Sequence, residues 1–254
     1  MSYDDFPGEW SSYNNEDQSK LGRLFAHMTV PTMLHAIGPG QGQKCLDLGC
    51  GGGSWARFLL NSGRASSIVG LDISGKQISE AKQHITSTPF ENVAEFKVEN
   101  CTEMNYKDEF DLITSIYVLQ DLEKQQFTET ARRILTALKP GGRTVILMNG
   151  HGLYHLQSSE MHKRFLVGCT RWPECPTDGA PIGYAFFNPD GSERLSGLTA
   201  YFYSAQFVEQ TFREAGCSDF RWIPMRLSNQ LIQEDGWTHW LPAVDGVLTF
   251  SAKK

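Results

Sequence analysis

The run from Lys44 to Ser54, KCLDLGCGGGS, constrains the fold more than any other part of this chain. A short apolar stretch carries Asp47, and Gly49, Gly51 and Gly53 then alternate up to a helical pattern that begins near Ser54. Alternating glycines let the backbone turn sharply and approach a ligand that a Cβ would push away. Two common uses of such a turn are disfavoured by its details. No Gly-Lys-Ser/Thr ending follows, as a phosphate-cradling P-loop requires, and an acidic residue two before the first glycine is not part of the nicotinamide fingerprint. A purely structural strand-to-helix turn is the competing account.

Further strand ends follow at suitable intervals. Ser67 to Leu71 (SIVGL) runs into Asp72, 25 residues after Asp47. That is one βαβ step, where an acidic residue is expected to hold a ribose diol, because one carboxylate accepts two hydroxyl hydrogen bonds. Ala94 to Val98 ends at Glu99-Asn100-Cys101, Phe110 to Ile116 reads as a fourth strand, and Leu138-Lys139-Pro140-Gly141-Gly142 predicts a turn into a fifth, Arg143 to Met148. Between them, Phe127, Ala131, Ile134, Leu135 and Leu138 recur at helical spacing, as do Ile78, Ala81 and Ile85 more weakly. Strands alternating with amphipathic helices predict an α/β fold with a doubly wound, mostly parallel sheet covered on both faces. Ligands of such sheets bind at the carboxyl ends of the strands, where Asp47, Asp72, Asn100 and Ser115 all fall.

The acidic-glycine motif and Asp72 together resemble class I S-adenosylmethionine (SAM) dependent methyltransferases, over residues 40–150. The resemblance implies a seven-stranded Rossmann-like sheet whose antiparallel edge is built from Asp219 to Met225 and Gly246 to Ala252. It also implies SAM as cofactor, held by Asp47, Gly49, Cys50, Gly51, Gly53, Asp72, Ile73, Gln77, Asn100, Cys101, Ser115 and Tyr117. The family usually has an aspartate on the adenine amino group where Asn100 stands, and the amide oxygen of Asn100 can still accept that bond. Residues Tyr13 to Met28 are expected to form a helix-bearing lid. There Tyr13 matches a tyrosine that bonds the SAM carboxylate or covers the sulfonium in resembling enzymes, and Arg23 is shaped to pair with the methionine carboxylate.

From Asn149 to Tyr203 the connection far exceeds the ~2 to 6 residues usual between a strand and a helix. It carries Tyr154, Phe165, Trp172, Tyr184, Phe186, Phe187, Tyr201 and Tyr203, with hairpin-turn residues at Asn188 to Gly191. This stretch reads as a cap over the substrate, with Trp172, Tyr201 and Tyr203 as candidate substrate contacts and some of the aromatics forming the cap's own core. After the fourth strand, Gln120 in Tyr117 to Asp121 would face the acceptor, able to hydrogen-bond but not to deprotonate it. His151 is the first candidate base, since imidazole titrates near neutrality, and Tyr154 and His155 follow on the same segment. Solvent-facing histidines without a role are the alternative there.

The function expected is methyl transfer to nitrogen or oxygen of a small aromatic or heterocyclic metabolite of specialised metabolism. Carbon methylation of an aromatic ring and a SAM-binding, non-methylating regulator or partner protein are the alternatives. YVLQD stands where an Asn/Asp-Pro-Pro-Tyr/Phe motif would mark methylation of nucleic acid bases. The net charge of −6, without a basic cluster, likewise disfavours nucleic acid as a partner.

At 254 residues and 40% hydrophobic content the chain can bury one sizeable core. It is read as one domain: a lid over 1–40, a SAM-binding core over 41–149, a cap over 150–203, and a last helix, Ser204 to Gly216, with the closing strands over 204–254. The first residues, MSYDDFPGEW, lack the features of a signal peptide, and no apolar run approaches the ~20 residues of a membrane span. A cytoplasmic monomer or homodimer with six reduced cysteines is expected, with a small-molecule acceptor and no membrane partner. No metal is expected, because His162, Cys169 and Cys175 lack the close cysteine pairing of zinc sites.

Overall fold

Strand and helix alternate over residues 30–98, as the periodicity demands. The computed structural model describes residues 25–150, 157–159, 167–188, 190–229, 233 and 247–254. A π-helical turn, Phe25–Thr29, leads into α1 (Val30–Ile37). Then come β1 (Gln43–Leu48), α2 (Ser54–Asn61), β2 (Ala65–Asp72), α3 (Gly75–Ile85), β3 (Ala94–Val98) and β4 (Phe110–Ile116). A 3-10 turn, Leu119–Asp121, precedes α4 (Lys124–Ala137) and β5 (Leu138–Asn149). After them lie β6 (Val167–Arg171), β7 (Pro181–Phe187), β8 (Glu193–Tyr201), α5 (Ala205–Glu214), β9 (Asp219–Trp222) and β10 (Val247–Lys253).

Seven strands form one sheet in the order β3-β2-β1-β4-β5-β10-β9. The first five are mutually parallel, and β10 runs antiparallel to both β5 and β9. The order reverses at β1, which pairs with β2 on one side and β4 on the other. That is the switch point where a crevice opens at the carboxyl ends.

Burial explains why the strands read as continuous apolar runs rather than alternating ones. Leu46, Leu48, Ile113, Ile146 and Met148 face α4 and α5 in one core, with Phe127, Ile134 and Phe212. Their neighbours Cys45, Leu112, Val145 and Leu147 face the other side, packed with Met33 of α1, Trp55 and Leu59 of α2 and Ile78 of α3. Helix α4 begins with a reciprocal cap, in which Gln126 Oε1 accepts the Glu123 backbone N–H at 3.1 Å.

Strand five starts earlier than the sequence predicts. Leu138 pairs with Phe110, an irregularity then spans Lys139 to Gly142, and regular pairing resumes where Arg143 meets Leu112. Beyond β5, the strands β6, β7 and β8 form a separate antiparallel sheet, and β7 turns into β8 through Asn188, whose N–H donates to Ser192 O at 2.8 Å. Among the described residues, no helix is long and apolar enough to cross a membrane.

Candidate cofactor and active site

The site is built on the loops that leave the carboxyl ends of β1 through β4. The loop after β1 has positive φ at Gly49, Gly51 and Gly53. Gly49 needs its lack of a side chain as well as its backbone freedom, because a Cβ there would stand 2.2 Å from Val118 Cγ2. Glycine 53 caps α2 in the left-handed region, with no side chain over the first turn, so the N–H groups of that turn face the loop.

Asp47 sits beneath this loop at 2% exposure. Its Oδ1 accepts from Thr114 Oγ1 at 2.8 Å, and its Oδ2 is buried with no hydrogen-bond partner among the described residues. Burial, and secondarily the nearby Asp72, push the carboxyl up to about 7, against the opposing hydrogen bond from Thr114. A buried acceptor with a spare oxygen fits a cationic donor such as the ammonium group of an amino acid.

Asp72 links two loops. Its Oδ2 accepts the Gly51 N–H at 2.9 Å and its Oδ1 accepts the Ser74 N–H at 2.9 Å. Ser74 in turn caps α3 by accepting the Gln77 N–H at 3.2 Å. The Gln77 side chain is buried, its Oε1 without a partner among the described residues and near the space a Gly51 Cβ would occupy. Ile73 and Val98, at the ends of adjacent strands, expose 55% and 60% of their apolar surfaces. That is unusual for strand-end aliphatics and suits a flat ring laid across them.

After β3, Asn100 Oδ1 accepts the Thr102 N–H at 3.0 Å, so one lone pair of the expected adenine contact is already used. The Cys50 and Cys101 thiols are buried. Burial, with the nearby Asp47 and Asp72 adding to it, holds Cys50 well above its ordinary value, and burial pushes Cys101 up to about 11. Both therefore remain protonated and packed rather than reactive.

At the end of β4, Ser115 is fully buried, with its hydroxyl unpartnered among the described residues. Tyr117 takes a left-handed backbone at φ 57°, which swings the chain into the following turn. Burial pushes its hydroxyl up to about 12, against an opposing effect of Thr29 ahead of α1. Gln120 lies in that turn at 3% exposure.

The expected substrate aromatics divide. Tyr203 is spent in packing: its ring stacks on Phe207 and its hydroxyl donates to Leu122 O at 2.7 Å. Tyr201, at the end of β8, donates to Glu123 Oε1 at 3.4 Å, and Trp172 packs edge-on against Phe202. Tyr13, Arg23, His151, Tyr154, His155 and His162 lie outside the described residues. Thr114, Val118 and Ser74 escaped the sequence reading. The signal for Thr114 is the register that sets it beside Asp47, which exists only once β1 and β4 are paired.

A family model described as a methyltransferase domain matches residues 45–142, the stretch from β1 to the start of β5 that carries all these loops. Over these residues the chain is similar to methyltransferase domains. Two curated proteins are similar to this chain. An uncharacterized methyltransferase of Synechocystis sp. is 34% identical over 115 residues, covering 44% of this chain and 49% of its own. A ubiquinone biosynthesis O-methyltransferase of Albidiferax ferrireducens is 30% identical over 121 residues, 46% of each chain. The chain thus spans less than half the length of these relatives. A crystal structure of a SAM-dependent methyltransferase from Mesorhizobium loti superposes with a TM-score of 0.60 at 18% identity, over 88% of this chain and 96% of that one. At that identity the likeness speaks for the fold.

Proposed function

We propose that this chain binds SAM in the crevice at β1 and β2 and transfers its methyl group to nitrogen or oxygen of a small aromatic or heterocyclic acceptor. The observation that carries the reading is the buried, unsatisfied Oδ2 of Asp47 beneath a glycine loop that Asp72 holds in place. Bound SAM would supply a methyl group made electrophilic by its sulfonium. The residues of this chain bind and orient. Asp47 Oδ2 accepts from the ammonium group, the carboxylate of Asp72 at the end of β2 accepts from the ribose hydroxyls, and Ile73 with Val98 offers an apolar bed for the adenine. Gly49 and Gly51 bring backbone close enough to exclude water.

Once the methyl group is activated, the protein's remaining task is alignment, which is worth about 7 to 11 kcal/mol of barrier. A base is needed only for a neutral hydroxyl or a weakly acidic N–H. We assign that role to His151, which follows the carboxyl end of β5, with Tyr154 and His155 next to it. The test is a calorimetric titration with SAM and with S-adenosylhomocysteine, followed by a mass-shift screen of aromatic amines and phenols. Binding of both cofactor forms and a product heavier by one methyl is expected. Absence of cofactor binding would end the reading.

A further inference from the structure

Gln120 stands between two walls of the crevice. On one side Val118, two residues before it, packs so closely on the glycine loop that Gly49 has no room for a Cβ. On the other side the end of the cap sheet closes over the residues just after it, through Tyr201 on Glu123 and Tyr203 on Leu122. In that position the side chain is 3% exposed, and its carbonyl Oε1 is buried with no hydrogen-bond partner among the described residues. Buried amide carbonyls are almost always satisfied, so an orphan at this place points to a ligand that brings the donor. Ser115, equally buried and unpartnered, can donate or accept and so discriminates nothing. The carbonyl of Gln120 only accepts.

We infer that Gln120 reads a hydrogen-bond donor on the acceptor molecule, so that the pocket selects acceptors whose reacting atom carries an N–H or an O–H. This rests on the methyltransferase reading above and narrows it. A primary or secondary amine, a ring N–H or a hydroxyl satisfies Gln120. A tertiary amine, or a ring carbon with no donor beside it, leaves the carbonyl unpaired. An amide neither takes nor gives up a proton near neutrality, so Gln120 orients rather than deprotonates. With the donor hydrogen turned toward Oε1, a lone pair on the same atom is left free to face the methyl group.

Three probes of nearly equal shape separate the possibilities: phenol brings an O–H, aniline an N–H, and toluene neither. The full chain, saturated with S-adenosylhomocysteine, is titrated with each by NMR at millimolar concentration. Phenol or aniline is expected to bind at least about fivefold more tightly than toluene, the scale of one hydrogen bond to a buried group. In Gln120→Leu the preference should vanish, and in Gln120→Glu, which keeps an acceptor oxygen at the same reach, it should persist. Equal binding of toluene, no binding of any probe, or a preference that survives in Gln120→Leu would overturn the inference. Should Gln120→Leu not fold, the wild-type ranking and Gln120→Glu decide. S-adenosylhomocysteine is titrated first. If it binds and the donor preference is absent, only this inference fails, whereas if it does not bind, the methyltransferase reading fails with it.

Discussion

Asp72 accepts the backbone N–H of Gly51 at 2.9 Å, so the carboxylate at the end of β2 clamps the glycine loop that leaves β1. The residue expected only to bind ribose therefore also shapes the glycine loop. Replacing it removes both contributions at once.

Asp72→Ala is expected to weaken SAM binding by about 1 to 3 kcal/mol, the cost of losing charge-assisted hydrogen bonds at a partly buried site. Asp72→Asn should fall between, because its amide keeps one acceptor oxygen but turns an NH2 toward one of the two backbone donors. Calorimetry with S-adenosylhomocysteine measures both. Unchanged affinity in Asp72→Ala would remove the ribose assignment.

The sheet was legible in the sequence because apolar runs, turn glycines and helical periods agreed at each step, and β3 and β4 fall on the predicted residues. Strand five and the cofactor loop show where legibility stops. Residues Lys139 to Gly142 carry turn chemistry, yet they lie inside β5 as the irregularity between the Leu138–Phe110 and Arg143–Leu112 pairs. The close contact of Val118 with Gly49, and of Thr114 with Asp47, depends on the register between strands far apart in the chain. Local pattern carries no record of that register.

Gly49→Ala tests that contact. The substitution places a Cβ against Val118 and forces alanine to φ 66°, a left-handed backbone that costs a non-glycine residue about 1 to 2 kcal/mol. Cofactor affinity should fall by tenfold or more, on the order of 1.4 kcal/mol. Adding Val118→Ala removes the collision but not the backbone cost, so the double variant should recover part of the loss. Full recovery would show the φ constraint to be unimportant, and no recovery would show that the contact is.

Tyr203→Phe separates packing from substrate contact. Its hydroxyl donates to Leu122 O inside the core, so its removal should lower stability by about 1 to 2 kcal/mol in denaturant melts. Affinity for S-adenosylhomocysteine and the KM for any acceptor should hold. A KM that rises several-fold without loss of stability would return Tyr203 to the substrate wall.

Asp47 sets a pH dependence that belongs to the ligand-free protein. Burial raises its folded carboxyl to about 7, whereas the unfolded chain titrates near ~4, so the folded state binds the proton more tightly. The stabilisation this gives is complete below pH ~4 and is lost as pH rises through about 7, at no more than about 1.4 kcal/mol per pH unit. Asp47→Asn is neutral throughout and should lack this component, so the stability difference between wild type and variant should grow in the variant's favour from pH 5 to pH 8. A bound ammonium group on Oδ2 favours the carboxylate and should shift the titration downward, so S-adenosylhomocysteine binding near pH 6 should release a fraction of a proton. Titration in buffers of different ionisation enthalpy reads that release directly. Its absence, with the affinity of Asp47→Asn equal to wild type, would show that the spare oxygen of Asp47 does not meet the cofactor.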